Sequence, residues 1–135
     1  MAKIMLTDAS ITINAVALSA SANSVTLTYE IDSVETTSFG STGHTFAGSL
    51  QNNSLEVAFF QDFAAANVEA TIYPLVGTTT TVIIKPTSAA TSATNPTYTL
   101  SGTFLASHTP VAGGVGEAAM TTLSFTGGTL VKTTS

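Results

Sequence analysis

Apolar and polar residues alternate without interruption from Ser24 to Asp32. Because successive side chains of a β-strand point to opposite faces, this period predicts a strand with one apolar face. Tyr29 and Ile31 are predicted to face the core from that side. The opposite face is predicted to carry hydroxyls and carboxylates, namely Thr26, Thr28, Glu30 and Asp32.

Other short runs predict strands by alternation or by β-branched and aromatic content. They are a short strand beginning at Ile11, a strand through Leu55 to Phe59 with Glu56 on its polar face, and strands within residues 80–85, 98–107 and 120–125. In the strand over 98–107, we expect Tyr98, Leu100 and Phe104 to share one face.

One helix is predicted, at about residues 63–73. Asp62 can accept hydrogen bonds from the first turn, and Pro74 is expected to end the helix. Its apolar face is predicted to consist of Ala64, Val68, Ile72 and Leu75.

A stretch rich in glycine, serine, threonine and asparagine extends from about residue 34 to residue 53. It is too long for a tight hairpin turn, so it predicts a long hairpin arm that becomes ordered against a neighbouring molecule. With this arm, the element order indicates a mainly β protein, a β-sandwich or half-open barrel with one flanking α-helix. We expect one domain over residues 1–135.

Charge is scarce throughout the chain. Only 8% of the residues are charged, against about 25% in ordinary globular domains. Three lysines, no arginine and eight acidic residues leave a net charge of −5. Charge normally keeps free surfaces apart, so this composition predicts a subunit whose surface is covered by other copies. The acidic balance argues against binding a nucleic acid through its phosphates.

No catalytic, cofactor-binding or metal-binding residue is predicted, and we expect a protein that is not an enzyme. His44 and His108 lack a second ligand at a metal-site spacing, and the chain has no cysteine. Glu30 and Asp32 project side by side, which favours a solvated face over a carboxylate dyad or a calcium site. The glycines of residues 113–116 lack the Lys-Ser/Thr of a phosphate-binding loop and predict a flexible loop.

The stripe of threonines and carboxylates on the Ser24–Asp32 strand allows two interpretations. It can be an ordinary solvent-facing side of a sheet, although such a face usually mixes charges of both signs. It can also be a smooth acidic surface that does not adhere to a polyanion. The sequence leaves both open.

The chain resembles the major tail (tail tube) proteins of siphoviruses, in the short single-domain form found in phages of actinobacteria. The resemblance covers nearly the whole chain, as an ordered set of segments. These are residues 2–11 (AKIMLTDASI), 24–32 (SVTLTYEID), 40–48 (GSTGHTFAG), 55–63 (LEVAFFQDF), 82–86 (VIIKP), 93–98 (ATNPTY) and 109–116 (TPVAGGVG).

This resemblance implies hexameric rings that stack into a tube with an acidic lumen through which DNA passes without specific binding. It implies a virion tail location, assembly in the cytoplasm of the host bacterium, and tape-measure, terminator and initiator proteins as partners. The residues expected to face the lumen are Thr26, Thr28, Glu30, Asp32 and Glu56. Those expected in the arm contacts between subunits and rings are Phe39, Gly40, Gly43, His44, Phe46 and Gly48.

A different class of function stays open, namely a capsid-decorating or carbohydrate-binding β-sandwich module. A sugar-binding surface normally presents an aromatic platform, whereas this chain has no tryptophan and its tyrosines are scattered.

Overall fold

The computed structural model describes residues 5–134, and the predicted mainly β architecture with one flanking helix is confirmed. The strands are β1 (Ser10–Ile13), β2 (Val16–Ala17), β3 (Ala22–Thr28), β4 (Ile31–Glu35), β5 (Phe46–Gln51), β6 (Ser54–Phe60), β7 (Thr78–Lys85), β8 (Thr97–Leu105), β9 (Met120–Thr126) and β10 (Thr129–Thr133). Helix α1 (Val68–Ile72) continues into a 3-10 turn, Tyr73–Leu75, and another 3-10 turn covers Ser19–Ser21. Within residues 5–134, no helix is long and apolar enough to cross a bilayer.

Eight strands form one antiparallel sheet that folds into two layers. Its order is β2-β1-β7-β8-β9-β6-β3, and β10 also pairs with β8. The end of β9 and the whole of β10 follow one register along β8, whereas β9 pairs with β6 along its whole length and leaves β8 before Phe125. The first layer is therefore β2-β1-β7-β8-β10 and the second is β9-β6-β3, joined at the end of β9.

The core fills the space between these layers. Both layers and the helix contribute to one cluster of buried side chains, which includes Ile13, Val82, Leu100, Val57, Phe59, Phe125 and Ile72. Full burial of such a side chain contributes about 1.5–3 kcal/mol to stability. The predicted alternation of the strand through Leu55 to Phe59 is confirmed, with Leu55, Val57 and Phe59 buried and Glu56 exposed.

The strand predicted from Ser24 to Asp32 is wrong in its second half. Strand β3 ends at Thr28 and β4 begins at Ile31, and Tyr29 and Ile31 are 60% and 45% exposed instead of facing the core. At this junction the Glu30 backbone N–H donates to Oδ1 of the buried Asn53 at 3.2 Å, whereas the Asn52 N–H still donates to the Glu30 carbonyl at 2.7 Å. One ladder bond between β3–β6 and β4–β5 is thus replaced by a bond to a side chain.

The helix is shorter than the predicted span of 63–73. Asp62 Oδ1 accepts from the N–H of Ala64, only two residues on, at 2.9 Å. This makes a local turn, and Ala66 then has a left-handed φ of 62°, which no right-handed helix contains. Of the predicted apolar face, Val68, Ile72 and Leu75 are buried, whereas Ala64 is exposed.

A bulge in β8 corrects a second face assignment. Gly102 has a φ of 70°, and the pairing of β7 with β8 shifts by one residue beside it. A shift of one residue moves every following side chain to the other face. Phe104 is consequently exposed, while Leu100 and Leu105 on either side of the bulge are buried.

Gly128 lies in the β9–β10 connection, which runs beside β8 opposite the bulge at Gly102. Its φ is 93°, and a Cβ atom there would lie 2.6 Å from the Ser101 carbonyl oxygen and 3.0 Å from the Thr103 amide nitrogen. Both atoms belong to the backbone and cannot rotate away, so this close approach requires glycine.

We therefore expect Gly128→Ala to lower the free energy of unfolding by at least about 2 kcal/mol, through the clash and the strained φ together. Gly116→Ala is the matched control, because Gly116 has a φ of 81° but no atom within 4 Å of an added Cβ. The control is expected to lose about 1 kcal/mol, since only the backbone strain applies. Urea unfolding at low protein concentration measures both, and equal losses would contradict the role of this close approach to β8.

Candidate assembly surfaces

A hairpin formed by β4 and β5 projects from the sheet, and residues 31–51 are called the arm below. Its register pairs Val34 with Ala47 and Glu35 with Phe46, and it has an irregularity near Ile31. Every residue from Tyr29 to Leu50 is exposed, so neither face of the hairpin packs on its own domain. A two-stranded hairpin without a packed face is marginally stable in water. Both faces of the arm are therefore free of packing, and a second molecule can cover them.

The exposed side chains of the arm include large apolar ones. They are Ile31, Val34, Phe39, Phe46 and Leu50, and Phe39 is fully exposed at the tip. Single exposed apolar residues are common on proteins, whereas groups of them mark interaction sites. The arm is on this ground the strongest candidate for a contact with another chain.

Hydrogen bonds give the tip of the arm a defined shape. Glu35 Oε2 accepts from the Thr37 hydroxyl at 2.9 Å and lies 2.6 Å from His44 Nδ1. The Thr45 amide donates to Thr37 Oγ1 at 2.9 Å. Residues Phe39, Gly40, Gly43 and His44 of the predicted arm set lie at the tip, and Phe46 and Gly48 lie in β5.

The outer side of the β3–β6–β9 layer is a second distinct surface, called the polar face. In its register Thr26 pairs with Glu56, which pairs with Ser124. Its exposed or half-buried residues are Ser24, Thr26, Thr28, Ser54, Glu56, Ala58, Phe60, Met120, Thr122, Ser124 and Thr126. Glu56 is the one charged member of this set, so the face is mostly hydroxylated and weakly acidic, with the apolar Phe60 and Met120 at one end.

The structure brings together three of the five residues predicted to face a lumen. Thr26, Thr28 and Glu56 lie on the polar face, whereas Glu30 lies at the junction beyond β3 and Asp32 lies in β4. The alternation that grouped Thr26, Thr28, Glu30 and Asp32 on one strand ends at Thr28. The exposure of any of them to a lumen stays a prediction.

The edge of β3 is open. In the sheet over residues 5–134, β3 pairs only with β6, which leaves the N–H and C=O groups of its other edge without a strand partner. Such an edge is a template for pairing with another chain. The second layer can extend from this edge into a neighbouring subunit.

A groove of about 610 Å³ opens between β3 and β10, where the two layers part. It is called the groove below. Its lining is mostly apolar and consists of Leu6, Ala9, Val25, Leu27, Tyr29, Ile84, Lys85, Pro86, Tyr98, Leu130 and Lys132. No sequence pattern indicated it, because its walls come from distant parts of the chain.

Sequence reasoning also missed two contacts of histidine with glutamate. Beside the exposed pair His44–Glu35, the buried His108 places its Nε2 at 2.7 Å from Glu69 Oε1. These pairs are separated by 9 and 39 residues, so no local spacing reveals them. Among residues 5–134, no group of three or more potential ligands lies together as a metal site would require.

His108 completes a chain of hydroxyl, imidazole and carboxylate with Thr121 and Glu69. Thr121 Oγ1 lies 3.3 Å from His108 Nδ1, on the opposite side of the ring from Glu69. Acyl transfer uses such an order, but its nucleophile must reach a substrate, and Thr121 is 1% exposed. The network instead ties α1 to β9 and to the loop before it.

Solved structures share this fold. A chain of the native gene transfer agent (GTA) virion matches with a TM-score of 0.75 at 15% identity, over 97% of this chain and 99% of that chain. A chain of the PVC extracellular contractile injection system sheath/tube terminator, in the extended state, matches at 0.72 and 13%, over 98% and 97%. A chain of the empty GTA particle tail, refined helically with C6 symmetry, matches at 0.53 and 15%, over 84% and 82%.

At these identities the likeness establishes the fold. This chain has the mainly β, tail-tube-like fold present in those tail and injection assemblies. No protein-family model and no curated protein sequence matches it.

The two histidine contacts give a direct test of burial. We expect His108→Ala to cost about 2 kcal/mol of unfolding free energy, because it leaves a cavity and removes a partner of Glu69 and Thr121. His44→Ala is the matched control, since the His44 side chain is 78% exposed against 3% for His108. The control is expected to change stability by about 0.5 kcal/mol or less in urea unfolding. A larger loss of unfolding free energy for His44→Ala than for His108→Ala would contradict the burial of the His108–Glu69 contact.

Proposed function

We propose that the protein is the tail tube subunit of a siphovirus, related to the short single-domain major tail proteins. Copies of the chain form hexameric rings, and the rings stack into a tube through which the genome passes. One observation carries the proposal: a long hairpin with both faces exposed stands on a fold shared with tail and injection assemblies. Its apolar residues become buried when copies assemble.

Two further features support self-assembly. The open edge of β3 allows backbone pairing between subunits within a ring. The low charge of the chain weakens repulsion between copies. Sixfold symmetry is supported by the C6 tail in which a chain of this fold occurs.

The polar face is the surface we assign to the lumen. Its small hydroxyl side chains provide no cation for a phosphate, and Glu56 adds a negative charge that cyclic symmetry repeats around every ring. Glu30 and Asp32, next along the same hairpin, are proposed to extend this acidic lining towards the next ring. DNA then slides without specific binding.

The proposed partners follow from the tube. They are a tape-measure protein, and terminator and initiator proteins at the two ends. The protein resides in the virion tail after assembly in the host cytoplasm. It binds no cofactor in this role and catalyses no reaction.

A tube terminator is a second candidate, favoured by the TM-score of 0.72 with the injection-system terminator structure. A terminator forms one ring and stops, whereas a tube subunit presents complementary top and bottom surfaces and keeps adding rings. The length distribution of the assemblies separates these roles.

We expect the purified chain to form tubes whose length rises with protein concentration, visible by negative-stain microscopy and light scattering. Replacing residues 36–45 by Asn-Gly is expected to abolish the tubes. This dipeptide forms the type I′ turn that joins Glu35 to its ladder partner Phe46, so the shortened arm keeps its strands.

The control for that variant is its fold, measured by circular dichroism and by its urea midpoint. We expect both to match the wild type, because the removed residues are exposed and pack on nothing. Tubes of normal length from the shortened chain would contradict the role of the arm. A wild-type protein that stays monomeric at high concentration would contradict the tube, and uniform single rings would favour the terminator.

The lumen assignment predicts a charge effect at Glu56. Glu56→Lys tubes are expected to retain short double-stranded DNA on co-sedimentation at low salt, because each ring gains a circle of cations. Retention is expected to fall steeply as salt rises. Glu117→Lys, in the exposed loop before β9, changes the net charge equally and serves as the control. Equal retention by both variants would place Glu56 outside the lumen.

A further inference from the structure

The groove and the arm are both largely apolar. The groove presents apolar side chains from both layers, among them Leu27, Ile84 and Leu130. The arm presents the fully exposed Phe39 at its tip and the partly exposed Phe46 at the start of β5. A volume of about 610 Å³ accommodates aromatic side chains, which contribute most when they enter a pocket at the centre of an interface.

Their charges are complementary as well. Lys85 and Lys132 both line the groove, and no acidic residue does. The arm carries Asp32 and Glu35, with Glu30 at its base, and has no lysine or arginine. Among the residues that the structure describes, neither lysine forms an ion pair. The amine of Lys85 donates to the Ala89 carbonyl at 2.9 Å.

The arm cannot reach the groove of its own chain while it remains a hairpin. Tyr29 lines the groove and the arm begins two residues later, so the base of the arm lies beside the groove. Five residues of strand at about 3.3 Å each then carry the tip on the order of 15 Å away. Every residue of that path is exposed, so the arm does not fold back onto its own domain.

We propose that the groove between β3 and β10 receives the arm tip of a second copy of this chain. Phe39 enters between the two layers, and Lys85 and Lys132 face Glu35, the carboxylate nearest the tip of the incoming arm. This inference rests on the proposed function, because it names the receiving surface for the arm that joins the subunits. In this contact the two lysines favour an arm that carries acidic residues.

Cross-linking between copies tests the contact, since the chain contains no cysteine. Thr42→Cys protein, which keeps Phe39 and carries its thiol on the exposed tip of the arm, is mixed with Leu6→Cys protein, whose thiol lies at the exposed rim of the groove. A short bismaleimide joins the thiols, because a direct disulfide requires Cα atoms within about 7 Å. Size tags on the two proteins identify the mixed product. The control mixes Thr42→Cys with Thr122→Cys, whose thiol lies on the polar face.

We expect the mixed product from the groove pair in tubes and at least about tenfold less from the control pair. In the groove pair, adding Lys85→Glu and Lys132→Glu to the Leu6→Cys protein is expected to reduce the yield by about tenfold or more, because like charges then meet. If the wild type forms tubes but the groove pair gives no product, or the control pair gives as much, the inference is wrong and the tube proposal stands. If the wild type forms no assembly, the proposed function fails first. A yield that is unchanged by Lys85→Glu and Lys132→Glu would show that the two lysines are not part of the contact.

Discussion

The buried amide of Asn53 joins the three parts of the molecule on which its assembly surfaces depend. Its Oδ1 accepts from the Glu30 amide at the base of the arm, and its Nδ2 donates to the Gly128 carbonyl at 3.1 Å. Its own carbonyl accepts from the Gly127 amide at 2.9 Å. The point where the two layers join is thereby bonded to the point where the arm leaves the sheet. A buried amide with satisfied partners holds such a geometry, whereas removal of one partner leaves a costly unpaired group.

The hairpin that runs from β3 to β6 contributes to two surfaces, the polar face and the arm, with Asn53 at the boundary between them. Strands β3 and β6 form its lower half, and their outer residues belong to the polar face. The upper half, β4 and β5, exposes both of its faces and becomes the arm. The Asn53 side chain takes the place of one ladder bond at the boundary between these halves. Burial of the apolar residues of the arm then favours association, while the chain's low charge reduces the opposing repulsion.

Much of the fold could be predicted from local patterns, because burial follows the period of two in strands such as β6 and the apolar face of α1. The errors share one kind of source, namely single residues at which the backbone departs from the regular period of the element. Asn53 interrupts the predicted long strand, Ala66 delays the helix, and Gly102 turns Phe104 outwards. Composition indicated the arm, since its glycines and hydroxyls predict a segment that packs little on its own core. The groove and the His108–Glu69 pair were beyond sequence reasoning, because elements far apart in the chain build them.

A cryo-EM reconstruction of the wild-type assembly tests the central claim most directly. The account predicts a hollow sixfold tube in which the β3–β6–β9 layer surrounds the lumen and each arm is buried against a neighbouring copy. Density that shows the arm free on the outer surface, with its apolar residues in solvent, would contradict that claim even if a tube forms.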